Sequence, residues 1–217
     1  MRHELRIDLP LLGHRTYIQG GSIFNGMLDA CDRALDAGWL DGVTIGSFKI
    51  QRESGTDGRF VIADQAVHGL DEHAQMVVQG PRGRLYVYLV DEGRTPPRVP
   101  YNESEYYEEV RVGSDLTGEF TLQPGRERAD FMRGVVGANK FLHQKTDRFG
   151  SELKHIQFLY LKELAAECVQ RSGDGCRLRI SNVMAQDHGS EVWTINRVEV
   201  RGPSVSSSFR ICYRAAK

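Results

Sequence analysis

The sequence predicts an α+β fold made of two copies of one unit, a long helix followed by four antiparallel strands. Three observations carry this. Each half of the chain holds one apolar stripe at helical spacing. Each stripe is followed by four β-prone segments, several of them with apolar residues at every second position. Finally, the two halves overlay with an offset that only grows along the chain.

The first stripe is Ile23, Phe24, Met27, Leu28, Cys31, Ala34 and Leu35, which predicts a helix over 22–37 with Ser22 as N-cap and Gly38 as its stop. The period then changes to two. Strands are predicted over Val43 to Ile50, Phe60 to Ala63, Ala74 to Gln79 and Leu85 to Val90. A second helix is predicted over 130–148, with Phe131, Val135, Ala138 and Leu142 on one face and Gly150 past its end. His155 to Leu164, Cys176 to Met184, Val192 to Val200 and Phe209 to Arg214 complete the repeat.

Ile23 lies 112 positions before Val135, as Val43 does before His155. The offset becomes 118 for Gly58 and Cys176, 122 for Gly80-Pro81 and Gly202-Pro203, and 124 for Arg84 and Ser208. Loops that lengthen while elements keep their order produce this drift. The repeat predicts two pseudo-two-fold-related units of one topology, over 1–92 and 111–217. The linker, 93–110, holds Pro96, Pro97 and Pro100, which cannot donate to a strand ladder. Glu105, Glu108 and Glu109 read as a solvated acidic edge.

Composition excludes several function classes. Lys+Arg 28 against Asp+Glu 29 leaves a formal charge of −1, and the basic residues form no run, so nucleic acid is not an expected partner. Cys31, Cys168, Cys176 and Cys212 contain no C-x-x-C pair and read as reduced thiols of a cytoplasmic protein. The start MRHELRIDLP lacks an apolar signal core, and no apolar run approaches the ~18 residues of a membrane span. Neither G-x-x-x-x-G-K-[ST] nor G-x-G-x-x-G occurs. No metal and no cofactor is expected. His68, Asp71, Glu72 and His73 lie too close in sequence to converge on one ion and read as a solvated hairpin loop.

A long helix wrapped by an antiparallel sheet, twice in one chain, resembles the double hotdog proteins. Gly13-His14 through Gly26-Met27-Leu28-Asp29 looks like the hydroxyacyl-thioester dehydratase pattern of G-H, a glycine, then an acid on the central helix. DFMRGVVGANKFL, from Asp130 to Leu142, is similar to the acyl-CoA thioesterase pattern D-x-x-G-H-V-N-N-x-x-Y-L. The resemblance implies an enzyme acting on an acyl thioester of coenzyme A or an acyl carrier protein. Dehydration of a hydroxyacyl substrate comes first, a thioesterase is the alternative, and a non-catalytic acyl-binding or assembly subunit is the rival. Homo-oligomers are left open.

The implied catalytic residues are His14 and Asp29, which would divide base and acid roles in a dehydration, and Asp130, which would activate water or attack a thioester. Tyr17, Gly21, Ser22, Phe24 and Asn139 are expected against substrate, in a cleft near the start of the first helix lined by Tyr17, Phe24 and Met27. The match departs from the family at several points. His14 to Asp29 is one residue longer than the dehydratase pattern, and the positions overlaying Asp29 and His14 in the second half are Phe141 and Arg126. Asp130 also suits a helix N-cap, and His143 with Lys140 suits a helix surface pair.

Overall fold

The computed structural model describes residues 1–113, 115–123, 128–149, 153–170 and 175–217, with the backbone alone at 129. Arg126 and Gly150 lie outside them. The chain divides into two compact units, Met1–Asn102 and Glu103–Lys217.

In the first unit, β1 (Arg2–Arg6) and β2 (Leu11–Leu12) precede α1 (Gly20–Ala34), and β3 (Thr44–Ile50), β4 (Asp57–Ala63), β5 (Glu72–Gly80), β6 (Gly83–Arg94) and β7 (Arg98–Val99) follow it. The antiparallel order is β1-β4-β6-β5-β3, while β2 pairs in parallel with β7. The second unit opens with a 3-10 turn (Glu103–Tyr106), β8 (Tyr107–Val112) and β9 (Gly118–Leu122). Then come α2 (Arg128–Lys145), β10 (Lys154–Ala165), a short α3 (Ala166–Gln170), β11 (Arg177–Asp187), β12 (Glu191–Arg201) and β13 (Ser206–Ala216). Its order is β10-β13-β12-β11-β9-β8.

All eight expected strands and both expected helices form, but the two units do not share one topology. In the first, β6 inserts between β4 and β5; in the second, β12 lies directly beside β11. Connection length explains the difference. Three residues, 188–190, join β11 to β12 and force a hairpin. Eight residues, 64–71, join β4 to β5 and let the chain step over the strand between them. That loop also does structural work, because Val67 and Leu70 pack on Val61, Tyr88 and Val90, and the Val67 amide donates to the Tyr88 hydroxyl at 3.1 Å. The shared Gly-Pro marks the turn before the last strand in both units.

Both helices bury most of their surface, as a helix wrapped by a sheet must. Each carries a glycine at its seventh position where a neighbour allows no side chain. A Cβ on Gly26 would stand 2.6 Å from Leu9 and 2.8 Å from Phe60; one on Gly134 would stand 2.5 Å from Leu122 and 3.0 Å from the Tyr106 carbonyl. Helix limits shift from those expected. α1 starts two residues before Ser22, so the cap position falls to Gln19, and it ends at Ala34 with Leu35 already extended. Packing of the buried Gly20-Gly21-Ser22 turn overrides the poor helix propensity of glycine. Past the end, Trp39 Nε1 donates to Asp32 at 2.7 Å and folds the following loop back onto the helix, which leaves Gly38 (φ +77) in that loop.

The span 93–110 contains the end of β6, β7, the 3-10 turn and the start of β8. Glu105, Glu108 and Glu109 are exposed, and β8 is the outer strand of its sheet. Cys31, Cys168 and Cys176 are buried free thiols and Cys212 is half-buried. No helix among the described residues is long and apolar enough to cross a membrane.

Candidate functional site

α1 begins without a side-chain cap. The Ser22 and Ile23 amides both reach the Gln19 carbonyl, at 2.9 and 3.1 Å, so the amides of Gly20 and Gly21 precede the first helical bond. The first turn holds no acidic residue. Four N–H groups at a helix start need partners from outside the helix, and the helix dipole makes them attractive to negative charge. Ser22 lies beside them, 3% exposed, and its hydroxyl has no hydrogen-bond partner among the described residues. Gln19, Ser22, Asn25 and Asp29 recur at spacings of three and four, so they form one polar stripe running down α1 from this end. Gln19, Ser22 and Asn25 are buried; Asp29 is half-buried. Gln19 and Asn25 were not among the residues the sequence pointed to, although their spacing from Ser22 was the signal.

His14 stands exposed in the turn after β2. Arg98 clasps that turn, its guanidinium donating to the carbonyls of Gly13 and Arg15. Asp29 is the tenth residue of α1, about 13 Å along the axis from Gly20. Neither a hydrogen bond nor an ion pair joins His14 to Asp29. The structure therefore brings Gly21 and Ser22 together at the helix start and leaves Asp29 two turns beyond. Tyr17 is half-buried in the loop leading to the helix. Phe24 and Met27, expected to line a cleft, are fully buried instead; Phe24 packs edge-on against Phe48, ring centres 5.5 Å apart.

α2 is arranged differently. Asp130, the third residue of the helix, pairs with Arg133 at 3.1 Å. Asn139, nine residues on, faces the opposite side of the helix. There it belongs to a network that is buried around α2 and reaches the surface at Arg148. Asn139 Nδ2 donates to the Val135 carbonyl at 2.9 Å, and its Oδ1 accepts from Asn196 at 3.0 Å. Asn182 donates to Asn196 at 2.9 Å and accepts from Arg148 at 3.1 Å, which itself reaches Asp115 at 3.0 Å. One turn beyond Asn139, His143 Nδ1 lies 2.7 Å from the Asn139 carbonyl and Nε2 lies 2.7 Å from Thr194 Oγ1. A carbonyl only accepts, so Nδ1 carries the proton and Nε2 accepts from the threonine. Burial pulls the His143 pKa down to about 4, against the smaller upward pull of its bond to Asn139.

A hydroxyl facing a basic nitrogen is the arrangement of an activated nucleophile. Here, however, His143 and Thr194 are 1% exposed and Asn139 and Asn196 are 0% exposed, so the hydroxyl and the nitrogen it faces are shut away from a substrate. Lys140 pairs with Glu103 at 3.0 Å rather than joining His143.

The expected solvated loop of His68, Asp71, Glu72 and His73 holds for His68 and Asp71, which are exposed, while Glu72 is half-buried at the start of β5. It fails for His73, which lies buried in β5, 3.0 Å from Asp91 and accepting from Arg52 at 3.1 Å. The strand starts one residue before His73, and its alternation carries the imidazole inward.

No family model matches the sequence, and no curated protein matches it. Solved structures do match. A conserved protein of unknown function with a hot dog fold from Alicyclobacillus acidocaldarius aligns over 100% of this chain and 93% of its own, at 11% identity and a TM-score of 0.56. The chain has the hotdog fold. A tesB protein of Mycobacterium avium subs paratuberculosis shares this hotdog fold over 100% of the chain and 93% of its own, at 11% identity and TM-score 0.52. So does a monomeric dehydratase domain from a trans AT polyketide synthase split module, over 100% and 99%, at 6% identity and TM-score 0.51. Within this hotdog chain, the start of α1 combines a helix start without a side-chain cap and a buried hydroxyl that has no hydrogen-bond partner among the described residues.

Proposed function

We propose that this chain binds an acyl thioester, carried by coenzyme A or an acyl carrier protein, at the start of α1 and hydrolyses it. The observation that supports this most directly is the uncapped, buried Gly20-Gly21-Ser22 turn. Two amides and an unpartnered hydroxyl there are the donors that a thioester oxygen requires as it gains charge. In the reaction, water adds to the carbonyl carbon and its proton passes to His14. The carbonyl electron pair moves to the oxygen held by the Gly20 and Gly21 amides and Ser22. Collapse of that intermediate releases the thiolate, which takes up the proton, and the free acid. Tyr17 flanks this approach.

Dehydration is less well served. The carbonyl carbon and β-carbon of one acyl group stand only about 2.5 Å apart. An acid working with the helix-start amides must therefore lie within about one turn of them. Asn25 occupies that place and cannot act as an acid, while Asp29 is about 10 Å beyond Ser22. Asp130 is engaged by Arg133 and is a less available alternative base than His14. Asn25, standing on α1 where a carboxylate would serve, favours one second reading, an acyl-binding subunit without turnover.

Intact-mass measurement of saturated and 3-hydroxyacyl pantetheine thioesters tests the assignment. Release of free acid from both kinds is expected, with His14→Ala reducing it roughly 10²-fold and leaving the melting temperature of the exposed site unchanged. Loss of water from the hydroxyacyl substrates without hydrolysis restores the dehydratase. Saturable binding with no turnover establishes the binding subunit.

A further inference from the structure

The basic residues scattered through the second half of the sequence converge on one surface once its sheet is formed. On β10, β13, β12 and β11, side chains alternate between the α2 side and the outer side, and the outer side reads in rows across the strands. One row is Lys162, Arg210, Arg197 and Ser181, each directly opposite the next. Two residues along each strand lies Ser208, Glu199, Arg179 and Glu119, and beyond it Ser206, Arg201, Arg177 and Thr121. Lys162, Arg177, Arg179, Arg197, Arg201 and Arg210 are all exposed. Lys162 approaches Glu163 at 3.8 Å and Arg201 approaches Glu199 at 3.6 Å; no ion pair joins Arg197, Arg210, Arg177 or Arg179 to a described residue. On the other flank of the first row stands an apolar one, Tyr160, Cys212, Ile195 and Met184, followed by Arg214 and Trp193.

Like charges directly opposite on neighbouring strands destabilise a sheet. Lys162 opposite Arg210, Arg210 opposite Arg197, and Arg177 opposite Arg201 repeat that cost in a chain whose formal charge is only −1. We propose that this face docks an acidic, amphipathic helix of a partner protein.

The dimensions suit such a helix. Lys162 to Arg197 spans two strand spacings, about 10 Å, close to the rise of about 10 Å between positions i and i+7 of a helix. Acidic residues at i, i+4 and i+7 thus meet the cationic row. The helix's apolar side then meets Tyr160, Ile195 and Met184. Arginine, tryptophan, tyrosine and methionine together are also the side chains enriched at protein interfaces. Other occupants fit less well. Isologous pairing of two copies sets the cationic face against itself. A phosphate backbone meets Glu119 and Glu199 on either side of Arg179. A bilayer finds only one apolar row, and Tyr160, Cys212 and Ile195 within it are already half-buried.

Holo-acyl carrier protein, a small acidic helical protein, is the probe; its choice rests on the thioester reading, whereas the surface does not. Fluorescence anisotropy with the full chain should show binding that weakens as salt rises. Arg197→Glu combined with Arg210→Glu should weaken it at least tenfold while hydrolysis of free acyl-pantetheine and the melting temperature stay unchanged. The proposal is overturned if the carrier protein does not bind the parent, or if the double variant binds it equally well. It is also overturned if a single-stranded oligonucleotide or phosphatidylglycerol vesicles bind the parent more tightly than the carrier protein does. Failure of the thioester reading shows separately, as absent turnover of the free thioester.

Discussion

The start of α1 and the middle of α2 both bury polar side chains, yet they resolve the cost of doing so in opposite ways. Along α2, Asn139, His143, Thr194, Asn196 and Asn182 satisfy one another in a chain of bonds between 2.7 and 3.0 Å. At α1, the Ser22 hydroxyl has no hydrogen-bond partner among the described residues, and the helix start beside it has no side-chain cap. The Tyr213 hydroxyl also lacks a partner among the described residues, but it is fully buried beside His143, whose ring centre is 5.1 Å from its own. A polar group bonded within the protein holds the fold together, and removing it costs stability. A polar group left unbonded at a helix start costs stability while it remains and is useful only to a ligand. The comparison separates a structural seam from the proposed working end, though both contain residues that a sequence reading nominates equally.

The largest expected effect comes from breaking the closed seam. Asn139→Leu leaves the Asn196 amide short of an acceptor inside the fold and should lower unfolding stability by about 3 kcal/mol. Urea titration measures this, and thioester turnover in the fraction still folded should remain that of the parent. A stability change below about 1 kcal/mol would show that the seam is not what holds α2 to its strands.

Acid should probe the same seam through His143. Its folded pKa, about 4, lies below the ordinary value of 6.5, so between these pH values the unfolded chain binds a proton that the folded chain does not. Stability therefore holds above pH 6.5 and falls as pH drops toward 4, by about 3 kcal/mol for a shift of this size. Asp91 and Glu92, whose carboxyls are held below their ordinary values, the latter chiefly by its bond to Arg6, add their own losses at lower pH. The informative quantity is thus the difference between parent and His143→Gln. The variant should have a flatter stability profile between pH 6.5 and 4, and parallel profiles would contradict the account.

Particular residues show how much was legible in the sequence. Phe209 to Arg214 was readable by its alternation, because one face of the strand is buried, and Leu85 to Val90 as an unbroken β-prone run, because Val87 to Val90 are all buried. β1, RHELR, escaped notice because it contributes no fully buried side chain, and β8 because Glu108 and Glu109 make it look like loop. The strand order was hidden for a different reason. Periodicity reports which face is buried but not which strand is the neighbour, and here connection lengths of three and eight residues decide that. At the site, Gly21 and Ser22 were visible as residues opening a helix. Asn139 was visible only as part of a motif, and the bond to Asn196 that fixes its role lies fifty-seven residues away in sequence. The cationic face was invisible for the same reason, since its rows run across strands rather than along them.

Ser22→Ala gives the smallest expected stability change and the most direct test of the working end. Because the hydroxyl has no partner among the described residues, its removal should leave the urea midpoint within a few tenths of a molar of the parent's, or raise it. Hydrolysis of acyl-pantetheine should nevertheless fall by roughly 10-fold or more, as expected for loss of one donor to a developing oxyanion. A variant that is clearly less stable yet turns over thioester at the parent's rate would place Ser22 among the structural residues. The central claim, that the start of α1 receives the substrate, would then be contradicted.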